Sequence, residues 1–338
     1  MSVILWGAGN FGMRFYEKFR NEIAEPLFWV DAKKHGQMIQ GIKVISPDDF
    51  WKYYNESCGV CSDVELIVTV RSVAAMQIVA ELLQKSFFLR GGKLKFAYSL
   101  YAQRYFLNHS DYIKAVENML NDEISINTYR VLIDNMCSGR IVDVSLYTEK
   151  QYFPNSIINT FAAGDVLVDA GVCDGEEIDT ALEMNPDIKV LAFEPNKESF
   201  CKLQNKYHNN KNVMIYPYAL WDKNIKVAGC GEELLSYKCT EASDDVDGIN
   251  TVKLDDIAKC GIDFIKMDIE GAEVQALLGA KETIIKYKPN LAICIYHNIE
   301  DYIEIPLLIK SWNLDYDYYI RHHTVADTET VFYAVRRE

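Results

Sequence analysis

VLVDAGVCDGEEI, residues 166–178, is a short apolar run that ends in a glycine-bounded loop and then turns acidic. Residues 165–170 read as a buried strand and Gly171-Val172-Cys173-Asp174-Gly175 as the loop, with a helix following to about Met184. The pattern repeats downstream. Residues 189–193 are a second strand, closed by Glu194-Pro195-Asn196, and 198–207 are helical. Residues 213–216 begin a third strand, with Ala219-Leu220 just beyond it. Residues 263–267 are a fourth, ending in Asp268-Ile269-Glu270-Gly271, and 274–278 start the next helix. Residues 291–296, 318–320 and 330–335 supply three more. Seven strands with helices between the first five predict a doubly wound α/β domain.

In such a sheet, ligands collect beyond the carboxyl ends of the strands. Asp169, Gly171, Gly175, Glu194, Asp268 and Glu270 all stand there. Gly171 and Gly175 let a bulky group approach the first loop, and an acid after strand two can accept both hydroxyl protons of a ribose. Asp169 can hold a cationic ligand end directly or through water, while loop N–H groups can meet a carboxylate. The loop is D-A-G-V-C-D-G rather than the compact G-x-G-x-x-G, and its extra acid, Asp174, would repel a pyrophosphate. A nucleoside without pyrophosphate suits it better. S-adenosylmethionine, with its sulfonium, ammonium, carboxylate and ribose, is such a ligand. Periodicity alone leaves another nucleotide open.

The amino-terminal half carries a different glycine turn. Residues 2–6 read as a buried strand, followed by Gly7-Ala8-Gly9-Asn10-Phe11-Gly12 and a helix to about Ile23. Residues 27–30 are the next strand, ending at Asp31, where a ribose contact is expected. Residues 41–45 suit a sheet edge, and Ser46-Pro47-Asp48-Asp49 a helix entry. Residues 65–70 and 74–83 read as a further strand and helix. Gly7, Gly9, Gly12 and Asp31 are therefore candidate nucleotide-binding residues, although a glycine turn also serves helix–sheet packing. Residues 98–107 are aromatic-rich, and 111–120 and 126–137 read as helices with a turn at Asp122-Glu123. The expected organisation is two Rossmann-like α/β domains joined by a mainly helical connector: 1–92, 93–160 and 161–338.

Composition narrows the classes. At 338 residues, 49% hydrophobic and 25% charged, the chain has the profile of a globular protein with two domains. A net charge of -14 disfavours tight, nonspecific nucleic-acid binding, and no Lys/Arg run offsets it. No apolar stretch is long enough for a spanning helix, and the first residues lack a signal peptide's basic leader. Nine scattered cysteines imply free thiols in a reducing compartment, so the cytoplasm is the expected location. Cys58 and Cys61 form a C-x-x-C without a second pair and read as loop cysteines rather than a zinc site.

The carboxy-terminal half resembles the FkbM family of S-adenosylmethionine-dependent methyltransferases. The resemblance rests on 166–178, KVLAFEPNKESF (189–200), TVKLDDI (251–257) and IDFIKMDIEGAEVQALLGAKETI (262–284). The last is the most specific, a Lys-x-Asp-x-Glu-Gly-Ala-Glu string followed by Leu-x-Gly-Ala. DEISINTYR (122–130) and QYF (151–153) resemble the lead-in of two-domain members. The first 90 or so residues are similar to nucleotide- or sugar-associated modules of polysaccharide enzymes. The resemblance implies that Asp169, Gly171 and Gly175 form the cofactor loop, that Glu194 binds ribose, and that Ala219 or Leu220 lies near adenine. It places Asp268 and Glu270 near the reacting groups, and implies methylation of hydroxyls on small polar metabolites such as saccharides, with S-adenosylhomocysteine as product. Acidic Asp174 and Cys173 depart from the usual loop.

An alcohol must lose a proton during or after methyl transfer, and histidine or carboxylate is the natural acceptor. His297 directly follows the strand at 291–296 and is the first candidate base; Asp268 is the second. His297 as a solvated turn residue, and Asp268 as a cap for backbone donors, are the competing readings. Glu270, Glu273 and His322 are candidate substrate-binding residues, with a solvated helix face as the alternative for the two glutamates. An Asp268–Glu270–His297 metal site has no diagnostic spacing, so no metal is expected. Competing functions are a noncatalytic nucleotide- or sugar-binding protein and an NAD-linked oxidoreductase using Gly7, Gly9, Gly12 and Asp31. A homo-oligomer stays compatible with the sequence.

Overall fold

The computed structural model describes residues 2–57, 64–70, 72–88, 92–138, 144–148, 150–158, 161–228, 248–324 and 328–337. Cys58 and Cys61 lie outside them. The chain divides into two units, Met1–Asn108 with Leu132–Ile141, and His109–Val131 with Val142–Glu338.

In the first unit, Ser2–Trp6 (β1) leads through the glycine turn into Asn10–Phe19 (α1). Pro26–Val30 (β2), Met38–Ile39 (β3), Ile42–Ile45 (β4), Pro47–Ser57 (α2), Val64–Val68 (β5), Ser72–Gln84 (α3), Lys93–Phe96 (β6) and Ala97–Asn108 (α4) follow. The sheet order is β3-β4-β2-β1-β5-β6, parallel except for the β3–β4 pair. Successive side chains of β1 alternate between two cores, as strand geometry requires. Ile4 and Trp6 pack with Phe50, Tyr54 and Phe87 on one face, Val3 and Leu5 with Phe15, Phe19 and Trp29 on the other. Ser46 starts α2 by accepting from the Asp49 N–H (3.1 Å) and donating to its carboxylate (2.8 Å).

Two expectations change here. The strand at 42–45 is not at the edge: it pairs in parallel with β2, and β3 takes the outside. Residues 93–96, assigned to the helical connector, are instead strand β6 beside β5. KLKF has only two apolar positions, Leu94 and Phe96, which pack against the core, and Lys95 pairs with Glu65 at 2.8 Å. Four residues are too few for a period to be read.

The second unit begins with Ser110–Met119 (α5) and the first half of Glu123–Ser138 (α6), whose later residues fall in the first unit. Then come Val166–Ala170 (β7), Glu176–Met184 (α7), Lys189–Phe193 (β8), Lys197–Tyr207 (α8), Val213–Tyr216 (β9), Ala219–Leu220 (β10), Lys226–Ala228 (β11), Gly248–Val252 (β12) and Leu254–Ile257 (α9). Phe264–Met267 (β13), Glu273–Leu278 (α10), Lys281–Tyr287 (α11), Asn290–Cys294 (β14), Asp301–Ser311 (α12), Tyr316–His322 (β15) and Thr330–Arg336 (β16) complete it. The main sheet runs β15-β16-β14-β13-β7-β8-β9. Its strands are parallel from β14 to β9, with β16 antiparallel to both neighbours. This is the expected seven-stranded, methyltransferase-type sheet. Strand order reverses between β7 and β13, so a crevice opens where their carboxyl ends diverge. A separate small sheet, β10-β12-β11, stands outside this pattern and was not foreseen.

The amino-terminal segment of this unit is fastened to the edge strand. Arg321, buried on β15, donates to Asp122 at 2.6 Å and to Ser125 at 2.7 Å. Asn121 and Ser125 accept from the Tyr318 and Ile320 N–H groups.

Candidate active site at the strand carboxyl ends

The loop after β7 is built around Gly171, whose φ is +83°; a Cβ there would lie 1.7 Å from the Asp268 carbonyl oxygen. Only glycine allows the β7 and β13 loops to approach so closely. Cys173 follows in the left-handed region (φ +53°), and Gly175 caps α7 in the same region. Gly175 offers its carbonyl to the Tyr207 hydroxyl at 2.8 Å, while the Asp174 carbonyl accepts from Lys206 at 2.9 Å.

Glu194 stands just past β8. Its Oε2 accepts from the Cys173 N–H at 3.0 Å and its Oε1 from the Asn196 N–H at 2.8 Å. The acid thus ties the first two strand-end loops together while remaining slightly exposed. Burial raises its pKa, opposed by the Asn196 and Cys173 N–H donors.

Asp169 differs from its expected role. It is fully buried, and its carboxylate lies 3.1 Å from the Lys266 ammonium, itself buried. The two residues are paired across β7 and β13. Lys266 also donates to the Gly171 carbonyl at 2.7 Å. Burial opposes the lysine charge, but Asp169, Glu177 and Asp268 outweigh it and hold the pKa above the ordinary lysine value. Asp169 therefore acts on the loop through Lys266. A charged residue inside the apolar run FIKM was the available signal, because a buried lysine demands a partner.

A second cluster lies past β13 and β14. Asp268 Oδ2 accepts from the Tyr152 hydroxyl at 2.6 Å and Oδ1 from the Tyr296 hydroxyl at 3.2 Å. His297 Nε2 is 3.4 Å from Asp268 and 3.6 Å from Glu270, and its Nδ1 is 3.0 Å from Glu273. Glu273 is fully buried and also accepts from the Ile269 N–H at 2.9 Å. Glu270 has φ +58° and an exposed side chain. Burial alone would discharge His297, but Glu273, then Asp268 and Glu270, raise its pKa to about 9. Donor atoms of Asp268, Glu273 and His297 lie within 4.8 Å of one another. Tyr152 and Tyr296 were not foreseen as site residues.

Other expected residues lie apart from this constellation. His322 has no exposed surface; its Nδ1 is 2.9 Å from the Thr330 hydroxyl, within the β15–β16 pairing. An acceptor-lining role does not fit that burial. His323 lies between the Thr148 carbonyl and the Tyr333 hydroxyl, and burial pushes its pKa down to about 4. Ala219 and Leu220 are buried in β10, paired with Thr251 and Val252. In the first unit, Asp31 is engaged by the turn it follows: it accepts from the N–H groups of Ala8, Lys33 and Lys34 at 2.9–3.0 Å. A Cβ on Gly12 would lie 2.2 Å from the Gly7 carbonyl oxygen, whereas one on Gly9 would meet open space. Packing thus accounts for Gly12 without a ligand.

A nucleoside fold with acids at the first, second and fourth strand ends defines a class: an S-adenosylmethionine-dependent methyltransferase. Residues 169–318 match the family model for the methyltransferase FkbM domain. The crystal structure of methyltransferase FkbM from Methylobacillus flagellatus KT is similar along almost the whole chain. It has a TM-score of 0.64 and 21% identity over 98% of this chain and 89% of that one, a likeness of fold. An rRNA methylase from Streptococcus thermophilus matches 53% of this chain and 90% of its own at 16% identity and TM-score 0.34. Aeropyrum pernix fibrillarin, solved with natively bound S-adenosyl-L-methionine, matches 53% and 70% at 10% identity and TM-score 0.36. These two superpositions are too loose to carry an argument. No curated protein matches the chain. Among the described residues, no helix is long and apolar enough to cross a membrane.

Proposed function

We propose that the protein transfers a methyl group from S-adenosylmethionine to a hydroxyl of a small polar acceptor, a saccharide or related metabolite. The observation that carries this reading is Asp268: an acceptor of two phenol hydrogen bonds, 21% exposed, at the switch point of the sheet. The donor set fits the cofactor. Glu194 offers carboxylate oxygens to a ribose diol, and the loop of Gly171 to Gly175 offers N–H groups near a helix start. The cofactor supplies an already activated methyl group. The chain's own residues orient the acceptor oxygen, exclude water and receive its proton.

Asp268 is the proton acceptor in this reading. His297 carries a proton at neutral pH and offsets part of the charge of Asp268, Glu270 and Glu273; it becomes a competent base only as pH approaches about 9. Glu270 and Glu273 differ in role: exposed Glu270 can meet the acceptor, while buried Glu273 orients His297. The domain at 161–338 would do the chemistry. The amino-terminal module at 1–92 would serve nucleotide or sugar association, and the helical stretch within 93–160 would connect them. Free Cys137, Cys173, Cys201, Cys260 and Cys294 support a reducing compartment, the cytoplasm.

The test is methyl transfer to a saccharide panel, read by the mass gain of one methyl group. Glu194→Ala should raise the Kd for S-adenosylhomocysteine by about 10- to 100-fold, the worth of hydrogen bonds to a charged group. Calorimetry checks it. Tight NADH binding with no affinity for either sulfur cofactor would overturn the reading.

A further inference from the structure

Tyr152 lies outside the 169–318 family match, yet its side chain reaches the centre of the cluster. Its backbone is in the left-handed region (φ +66°), a conformation that a bulky residue rarely adopts. The residue is 3% exposed. Its hydroxyl donates to Asp268 Oδ2 at 2.6 Å and accepts from Gln151 Nε2 at 2.9 Å. Gln151 in turn donates to Glu329 at 2.6 Å, which ties this segment to the turn before β16. The Lys266 ammonium sits 5.0 Å from the Tyr152 ring centroid.

These contacts divide the work around Asp268. Tyr152 takes one carboxylate oxygen, leaving Oδ1 for Tyr296 and for His297 Nε2. A carboxylate held at one oxygen is restrained about its terminal torsion, which is otherwise broad and soft. We propose that Tyr152 is a positioning residue for methyl transfer, locking Asp268 so that Oδ1 faces His297 and the acceptor. The inference rests on the assignment of Asp268 as proton acceptor. Burial, followed by the nearby Cys294 and Asp268, raises the phenol far above its ordinary range, so Tyr152 stays a donor.

His297 reports on the lock without requiring an acceptor. Glu273, Glu270 and Asp268 face its ring, the Tyr296 ring lies tilted beside it, and Asp301 lies close enough to feel its charge. The protein has six histidines, so His297→Asn assigns the His297 signal in a histidine-labelled NMR titration. Tyr152→Phe keeps the ring and removes only the hydroxyl. It should lower the His297 midpoint by about 0.5–1 pH unit as Asp268 loses its fixed approach. In an Asp268→Asn background, Tyr152→Phe should move the midpoint no further. A midpoint unchanged by Tyr152→Phe alone, or an equal shift in both backgrounds, overturns the proposal.

If Tyr152→Phe fails to fold, the unmodified protein still decides. A slowly exchanging Tyr152 hydroxyl proton should be present, and Asp268→Ala, which leaves it only the Cys294 Sγ at 3.6 Å, should speed its exchange; unchanged exchange contradicts the proposal. With the first saccharide that accepts methyl, Tyr152→Phe should lower kcat by about 10- to 100-fold and leave the donor KM within about two-fold. A rise in donor KM with kcat unchanged would instead give Tyr152 a binding role. Failure of methyl transfer to every saccharide would count against the proposed function and leave the NMR comparison intact.

Discussion

His297 is surrounded by three carboxylates and holds its proton to about pH 9, above the ordinary value of 6.5. A raised folded pKa stabilises the native state while the ring is charged in it. The contribution is complete below about 6.5 and is lost as pH rises through about 9. Between those limits it amounts to something on the order of 3 kcal/mol. Urea unfolding across this window should show stability falling with pH, and His297→Asn should flatten the fall; parallel curves would show that the ring is not charged. The same residue shows the limit of sequence reading. Position after an apolar strand put His297 past the carboxyl end of β14. Its charge depends on Glu273, five residues past Asp268 at the start of α10, whose carboxylate burial only the fold creates. Tyr152 and Tyr296 were overlooked because nothing about a tyrosine's spacing tells a buried donor from packing.

At the scale of elements, β7, β8, β13 and β14 were legible because each is an apolar run stopped by an acid, glycine or histidine. The small β10-β12-β11 sheet was not, since AL and KVA are too short to show a period and GINTV is not a continuous apolar run. Asp169 shows a contact that spacing does not reveal. Its place at a strand end suggested ligand contact; strand pairing sets it opposite Lys266, 3.1 Å away, while its buried carboxylate has no hydrogen-bond partner among the described residues. What the pair supports is the loop at Gly171, where the β7 and β13 ends meet. Gly171→Ala should therefore destabilise the protein by about 2–5 kcal/mol, from the left-handed backbone and the clash with the Asp268 carbonyl. It should also abolish S-adenosylhomocysteine binding. Chemical denaturation and calorimetry check both; a melt and affinity like the parent's would mean that the loops are not packed as described.

For the whole molecule, two α/β units and the seven-stranded sheet could be anticipated, because alternation of apolar strands with amphipathic helices is a long-range signal. The allocation of α5 and the start of α6 to the second unit could not, since it depends on Arg321 reaching Asp122 and Ser125 across most of the sequence. A chain cut to 161–338 deprives Arg321 of Asp122 and Ser125, and lacks Tyr152. It should be markedly less stable than a chain cut to 109–338, as thermal melting would show; equal melting would deny the segment that role. The central claim is that the methyl donor lies across the carboxyl ends of β7 and β8 with its ribose on Glu194. The most direct measurement is a crystal structure with S-adenosylhomocysteine bound. The ribose hydroxyls are expected on the Glu194 carboxylate, beside the Gly171–Gly175 loop. A nucleoside found at the Gly7–Gly12 turn, with Glu194 bonded only to Cys173 and Asn196, would contradict it.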